Sequence, residues 1–304
     1  MAEFSGYFQT RDNLSIRYAC FSTHVPPAVG TVLLLGGRAE FIEKHEETIF
    51  ELNTRRLAVF TLDWRGQGLS SRLLEDPHKG HVDTFISYVD DLQYFFEKIV
   101  LPKAVPPIII LAHSMGGHIA LRYLKKAQPP ISGAVLLAPM INICTKPFPH
   151  GLARWLARLA NRTNWTDKYI PGAGYYNPEQ KPFKNNPLTS DPQRFMDEHN
   201  KIGANPSLAL GGVTYGWLYA AFDSINAVLC DNSWRRLDVP VLMLGGKADR
   251  VISIPAIRRM CQVLPDCRCV ILKGARHEIL KETDSIRRCF WQEFDQFLKK
   301  FISH

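Results

Sequence analysis

Ile108-Ile-Ile-Leu-Ala-His-Ser114-Met-Gly-Gly-His-Ile-Ala-Leu-Arg-Tyr123 is the stretch whose reading decides the fold. The aliphatic run Ile108 to Leu111 predicts a strand buried on both faces of a parallel sheet. Ala120, Leu121 and Tyr123 then follow at helical spacing. Between strand and helix, Ala112-His113-Ser114-Met115-Gly116 fits a sharp turn that lifts a Ser hydroxyl above the sheet edge. Such a turn needs small residues two before and two after the Ser, because strand and helix backbones pass close together. Gly116 and Gly117 supply them on the helix side; Ala112 adds one methyl where Gly is commoner.

Outward from this turn the chain alternates strand and helix. Tyr7–Thr10 and Leu14–Tyr18 predict an antiparallel hairpin. Thr31–Leu35, Leu57–Leu62, Gly133–Leu137, Val239–Leu244 and Cys267–Leu272 read as further strands. Glu43–Arg55, Val82–Val100, Ile254–Val263 and Ile286–Phe301 read as helices. From 141 to 233 strand-like runs cease, and Pro, Asn, Trp and Tyr are frequent. The pattern predicts an α/β core over 1–140 and 234–304, with a mostly parallel, doubly wound sheet and a helical cap at 141–233. Ligands of such sheets bind beyond the carboxyl ends of the strands, the edge where Arg38, Trp64, Ser114 and Met140 fall.

The 304 residues carry a net charge of +8, which suits nucleic acid or an anionic lipid surface. No nucleic-acid motif accompanies it, so the lipid surface is the expected partner. Seven scattered Cys without ligand spacing point to thiols in a reducing compartment, and a cytoplasmic location is expected. The first residues lack a signal-peptide pattern, and no apolar run is long enough to span a membrane. No metal or other cofactor is implied. Asp63-Trp-Arg-Gly-Gln-Gly68 lacks phosphate-loop spacing and is expected to be a structural turn in which Asp63 and Arg65 tie loops together.

A Ser hydroxyl needs a base within hydrogen-bond reach, and the base needs an acid to fix its tautomer. With this topology the chain order is Ser, acid, His. Asp249 follows the Val239–Leu244 strand and His277 follows the Cys267–Leu272 strand. Ser114 is thus the expected nucleophile, His277 the general acid/base and Asp249 its orienting carboxylate. Glu278 is a weaker candidate for the acid; His113 and His118 are expected to be buried packing residues. The oxyanion of a tetrahedral intermediate requires backbone donors. Met115 is one, and Arg38, after Gly36-Gly37, is the other, with Gly37 able to substitute. The Arg38 side chain has three destinations open to it: solvent, Glu40 or a phosphate. Gly37, Trp64 and Tyr215 are the positions expected to touch substrate.

Gly-Gly-Arg38-Ala-Glu40, Asp63-Trp-Arg-Gly-Gln-Gly-Leu-Ser70, Leu73-Leu-Glu-Asp-Pro-His78, Ala112-His-Ser-Met-Gly-Gly117, Gly211-Gly-Val-Thr-Tyr215 and Gly274-Ala-Arg-His277-Glu-Ile together resemble the bacterial lysophospholipases of the monoacylglycerol-lipase-like group of α/β-hydrolases. The resemblance runs from about Leu14 to Phe301. It implies a metal-free serine hydrolase that cleaves the single acyl ester of a lysophospholipid or monoacylglycerol, with Ser114, Asp249 and His277 as its catalytic residues. Competing readings are a general carboxylesterase or thioesterase, and a non-catalytic binding protein of the same fold.

Within 141–233, Leu152, Trp155, Leu156 and Leu159 share one helical face, and Arg154, Arg158 and Arg162 another. The ordinary expectation packs the apolar face on the core. The alternative lays the helix in a lipid interface, with peripheral contact to the inner face of an anionic membrane.

Overall fold

The computed structural model describes residues 4–145, 148–179 and 182–302. Its centre is one eight-stranded sheet in the order β1-β2-β4-β3-β5-β6-β7-β8. The strands are β1 (Phe4–Gln9), β2 (Ser15–Phe21), β3 (Gly30–Leu35), β4 (Leu57–Leu62), β5 (Ile108–His113), β6 (Gly133–Leu137), β7 (Val241–Gly246) and β8 (Cys267–Leu272). β1 and β2 form the expected antiparallel hairpin, and β2 joins β4 antiparallel; β4, β3, β5, β6, β7 and β8 pair parallel. Interleaved with them are α1 (Glu46–Thr54), α2 (Phe85–Phe95), α3 (Ser114–Ala127), α4 (His150–Ala160), α5 (Pro192–Ala204), α6 (Tyr215–Leu229), α7 (Ile254–Val263) and α8 (Asp284–Leu298).

Side chains of a strand alternate between its two faces, and that alternation builds two cores. Leu33, Leu35, Ile108, Ile110, Leu136 and Met243 point to the face covered by α2, α3 and α7. Val32, Leu34, Ile109, Leu111, Leu137 and Leu244 point to the face covered by α1 and α8. Covering both faces explains why these strands read as unbroken apolar runs. β7 begins at Val241, two residues later than expected, because Pro240 has no N–H to give a ladder. The Val82–Val100 helix is shorter than expected as an α-helix. Thr84 caps α2 by accepting from Ile86 N–H, and Phe96–Val100 continues as a wider π turn.

Between β6 and β7 lie α4, α5 and α6. Trp217, Ala221 and Ile225 of α6 belong to the same apolar cluster as β5 and α3, so packing is continuous from the sheet into this segment. Among the described residues no helix is long and apolar enough to cross a membrane. One expectation fails: Cys261 and Cys267 form a disulfide. The end of α7 returns directly to the start of β8, which brings the two Cα atoms to 5.3 Å.

His118 is buried as expected, but by hydrogen bonding. Arg122 Nη1 donates to Ser224 Oγ at 2.7 Å, and the Ser224 hydroxyl lies 2.6 Å from His118 Nε2. This chain ties α3 to α6. Burial, with the Arg122 charge, pushes the His118 pKa down to about 3. As pH falls below about 6.5 the unfolded chain takes up a proton that the folded one refuses, so stability drops across that window. His118→Gln removes the titration. Its unfolding temperature should decline less steeply than that of the wild type between about pH 6.5 and about pH 4; parallel curves would assign the acid sensitivity elsewhere.

Candidate active site

The turn from β5 into α3 brings Ser114 to φ 49, a left-handed conformation that non-glycine residues seldom adopt. What holds it there is proximity. A Cβ on Gly116 would lie 2.5 Å from the Gly36 carbonyl oxygen and 2.6 Å from that of Leu35. Only Gly lets α3 start so near the end of β3. Ala112 is completely buried and its methyl is accommodated.

Three side chains meet above this edge. The Ser114 hydroxyl lies 2.9 Å from His277 Nε2, and His277 Nδ1 lies 2.8 Å from Asp249 Oδ2. The Asp249 side chain is wholly screened from solvent. Burial alone would raise its pKa; the His277 hydrogen bond and charge, with N–H groups of Val251 and Ile252 at 2.7 and 3.1 Å on Oδ1, outweigh burial and hold it below the usual carboxylate range. An anion so placed accepts from Nδ1–H and leaves Nε2 free to accept the Ser114 proton. Glu278, the weaker candidate, turns away and accepts from Lys44 Nζ at 2.8 Å.

Met115 is the second residue of α3, so its N–H has no acceptor within the helix. The Arg38 N–H finds no acceptor among the described residues. Gly37 is different. Its N–H donates to Glu40 Oε2, which removes it as the substitute donor. A Cβ there would meet His113 Nδ1 at 3.0 Å and Ser114 Cβ at 3.2 Å, so Gly37 serves close packing against the turn, not substrate contact. Trp64 is likewise displaced from its expected role. It is fully buried beneath the edge and donates Nε1–H to the Gly36 carbonyl at 2.7 Å. Tyr215 starts α6 outside the cleft; Trp217, two residues on, lines it. Helical periodicity from the Thr214 cap turns 217 rather than 215 inward.

The cleft measures 630 Å³ and contains Ser114 and His277. Met140, Ile143, Val251, Ile252 and Trp217 give it an apolar wall. Elsewhere it is ionic. Lys44 Nζ lies 2.7 Å from Glu198 and 2.8 Å from Glu278, with Glu40 at 3.7 Å. Glu40 also sits 2.8 Å from His113 Nδ1, and His113 Nε2 lies 3.1 Å from the His277 carbonyl. A carbonyl and a carboxylate can only accept, so His113 donates from both nitrogens and is an imidazolium. Burial opposes that charge, but Glu40 overcomes it and raises the His113 pKa; Glu40 in turn lies well below the usual range against burial, through His113 and Lys44. Sequence reading placed His113 under the turn but missed this pair. Glu40 and His113 are 73 positions apart, and no periodicity links them.

The Asp63–Gly68 turn behaves as expected. Asp63 accepts N–H groups of Ile42 and Leu69, and Arg65 binds Asp91 through two 2.6 Å contacts. Gln67 adds a role that was not foreseen: its Nε2 donates to the carbonyls of Gly37 and Glu40, fixing the Gly36–Glu40 loop.

Glu40→Gln keeps the shape and removes the anion. The variant should stay folded by circular dichroism, lose the second His113 ring proton at neutral pH by NMR, and turn over ester substrates about tenfold more slowly. Retention of that proton would show that Glu40 does not hold the imidazolium.

Residues 26–284 match the family described as serine aminopeptidase, S33. The chain is similar to lysophospholipase L2 of Escherichia coli (strain K12), at 33% identity over 297 residues, which is 94% of this chain and 83% of that protein. It is similar also to the probable lysophospholipase L2 of Haemophilus influenzae, at 30% over 294 residues, 96% and 91% of the two chains. Among solved structures, a soluble variant of monoglyceride lipase from Saccharomyces cerevisiae in complex with a substrate analogue superposes with a TM-score of 0.76 at 22% identity, covering 97% of this chain and 95% of that one. Family match, end-to-end relatives and shared fold lead to one assignment: the chain belongs to the serine aminopeptidase S33 family of α/β-hydrolases and groups with the lysophospholipase L2 proteins.

Proposed function

We propose that this protein hydrolyses the single acyl ester of lysophospholipids or monoacylglycerols through an acyl-enzyme formed on Ser114. The observation that carries this reading is the unbroken hydrogen-bond relay from Asp249 through His277 to Ser114 at the floor of a partly apolar cleft. His277 Nε2 takes the hydroxyl proton as Ser114 Oγ attacks the ester carbonyl. The Met115 and Arg38 N–H groups receive the oxyanion. Collapse expels the glyceryl alkoxide, which collects the proton from His277. Water, deprotonated by the same imidazole, then releases the fatty acid. Met140, Ile143, Val251 and Ile252 form the wall along which the acyl chain lies. No step calls for a metal or other cofactor.

The surface supports a membrane as the place of work. The ordinary expectation for 150–160 does not hold: α4 packs inward through Ala157, against Leu218 and Phe222 of α6, and turns Leu152, Trp155 and Leu159 outward, while Leu156 is half-buried. Trp155 is 58% exposed, and Leu152, Leu159 and the neighbouring Phe148 and Trp165 are exposed with it. Arg158, Arg162 and Lys168 are exposed around them, and Asp167 is the first acidic residue after 145. Exposed aromatic and aliphatic groups ringed by cations suit an anionic bilayer surface. The Cys261–Cys267 bond removes the thiol argument for the cytoplasm, so the location proposed is the membrane surface with no side assigned.

A fluorophosphonate probe should label the wild type and not Ser114→Ala, and the same variant should hydrolyse lysophospholipid at least about a thousandfold more slowly. Equal labelling of both would defeat the nucleophile assignment. Trp155→Ala with Leu159→Ala should weaken sedimentation with phosphatidylglycerol vesicles about tenfold or more, and added salt should weaken the wild type. Vesicle binding indifferent to both changes would exclude this face.

A further inference from the structure

Of the cations that line the cleft, Lys44 and His113 face carboxylates, whereas the exposed Lys184 and the more enclosed Arg38 face none among the described residues. Lys44 faces Glu40, Glu198 and Glu278, and His113 faces Glu40. The Arg38 guanidinium meets no carboxylate among the described residues. The charges and dipoles acting on it come from the hydroxyls of Tyr88 and Tyr169. Its Nη2 donates to the Gly211 carbonyl, its Cζ lies 5.9 Å from the Trp217 ring centroid, and its Nε is buried without a partner. Space is kept for it: a Cβ on Gly80 would fall 2.8 Å from Nη2 and 3.3 Å from Nε. Burial pushes its pKa down to about 10, which leaves it charged at neutral pH.

A half-buried cation without a counter-ion is costly, and the fully buried Nε donor without an acceptor adds to the cost. If the group served only to brace the Gly211 carbonyl, one neutral donor would suffice. A guanidinium also offers a planar fork that matches two phosphate oxygens. The reach is suitable. The Arg38 N–H is proposed to face the ester oxygen, and its own guanidinium is a few bonds away. In a lysophospholipid the phosphate is likewise a few bonds from the ester, across the glycerol.

We propose that the Arg38 side chain docks the headgroup phosphate of the substrate, and so makes this cleft prefer lysophospholipids over uncharged monoacylglycerols. The proposal rests on the ester-hydrolase reading above. Arg38 would act at once through its backbone, on the reaction, and through its side chain, on specificity. The unpaired charge is then completed by substrate, and the segments around Gly80 and Gly211 leave the guanidinium its place.

The test compares 1-oleoyl-lysophosphatidylethanolamine with 1-oleoylglycerol as substrates for the wild type, Arg38→Met and Arg38→Lys. The ratio of kcat/KM values, phospholipid over glyceride, should fall about tenfold or more in Arg38→Met, chiefly through KM, and Arg38→Lys should restore part of it. sn-Glycerol 3-phosphate and inorganic phosphate separate headgroup from free anion. The former should inhibit the wild type more strongly than the latter, and both should lose effect on Arg38→Met. Equal losses on the two substrates, in a variant folded by circular dichroism, would overturn the proposal and leave Arg38 a brace for the oxyanion loop. Wild type that turns over neither substrate and resists the fluorophosphonate probe would instead overturn the hydrolase reading underneath.

Discussion

The close passage of α3 over the end of β3 is the constraint on which the rest of the site depends. Gly116 sits against the Leu35 and Gly36 carbonyls with no room for a side chain. That contact fixes where α3 begins, forces Ser114 to its positive φ, and sets the Met115 N–H beside the loop that carries Arg38. Ser114 and the Gly36–Glu40 loop therefore cannot be positioned independently. The backbone strain at Ser114 is held by packing on both sides, with two apolar cores clamping the sheet.

Around this steric anchor lies a second, ionic layer. Glu40 accepts the Gly37 N–H and pairs with His113, while His113 donates to the His277 carbonyl. Lys44 joins Glu40 to Glu278, next to His277, and to Glu198 on α5. One connected set of charges thus spans the Gly36–Glu40 loop, the β5–α3 turn, the His277 loop and a helix from between β6 and β7. Buried ion pairs contribute little net stability, since desolvation offsets attraction. Their value here is geometric: each loop end is tied by a strong directional contact to another that must keep register with it. The Leu188 carbonyl adds a backbone tie by accepting the Glu278 N–H at 2.8 Å.

What was legible in the sequence follows from the range of the physics. Strands β3, β5 and β6 were recognisable because burial on both faces demands aliphatic runs, and the β5–α3 turn because Gly116 and Gly117 are needed locally. The Ser, Asp, His grouping was reachable from strand order alone, since each residue follows a strand end of one parallel sheet. The Glu40–His113 pair, the Gln67 brace and the inward turn of Trp217 depend on distances across the fold. Trp64 and Gly37 were misassigned for a related reason. Both stand at the correct edge, but edge position does not say whether a side chain points into the cleft or under it. The Cys261–Cys267 bond escaped because compartment arguments weigh composition, whereas the bond depends on how α7 returns to β8.

The orientation of α4 shows why periodicity could not decide its role. An amphipathic pattern states that two faces differ, not which one is covered. In this chain α6 receives the small side of α4, Ala157 and Ala160, because small residues let two helices approach closely, and the large side is left over. Water is a poor partner for Leu152, Trp155 and Leu159, so their exposure is a standing cost in solution. The cleft presents the same problem inside: an apolar wall beside an ionic cluster, with the Arg38 guanidinium facing no carboxylate among the described residues. A monoacyl phospholipid has both an apolar tail and an anionic head, and a bilayer containing it has both an apolar interior and an anionic surface. On the proposed reading, a substrate of that kind would resolve the inner mismatch, and its host membrane the outer one.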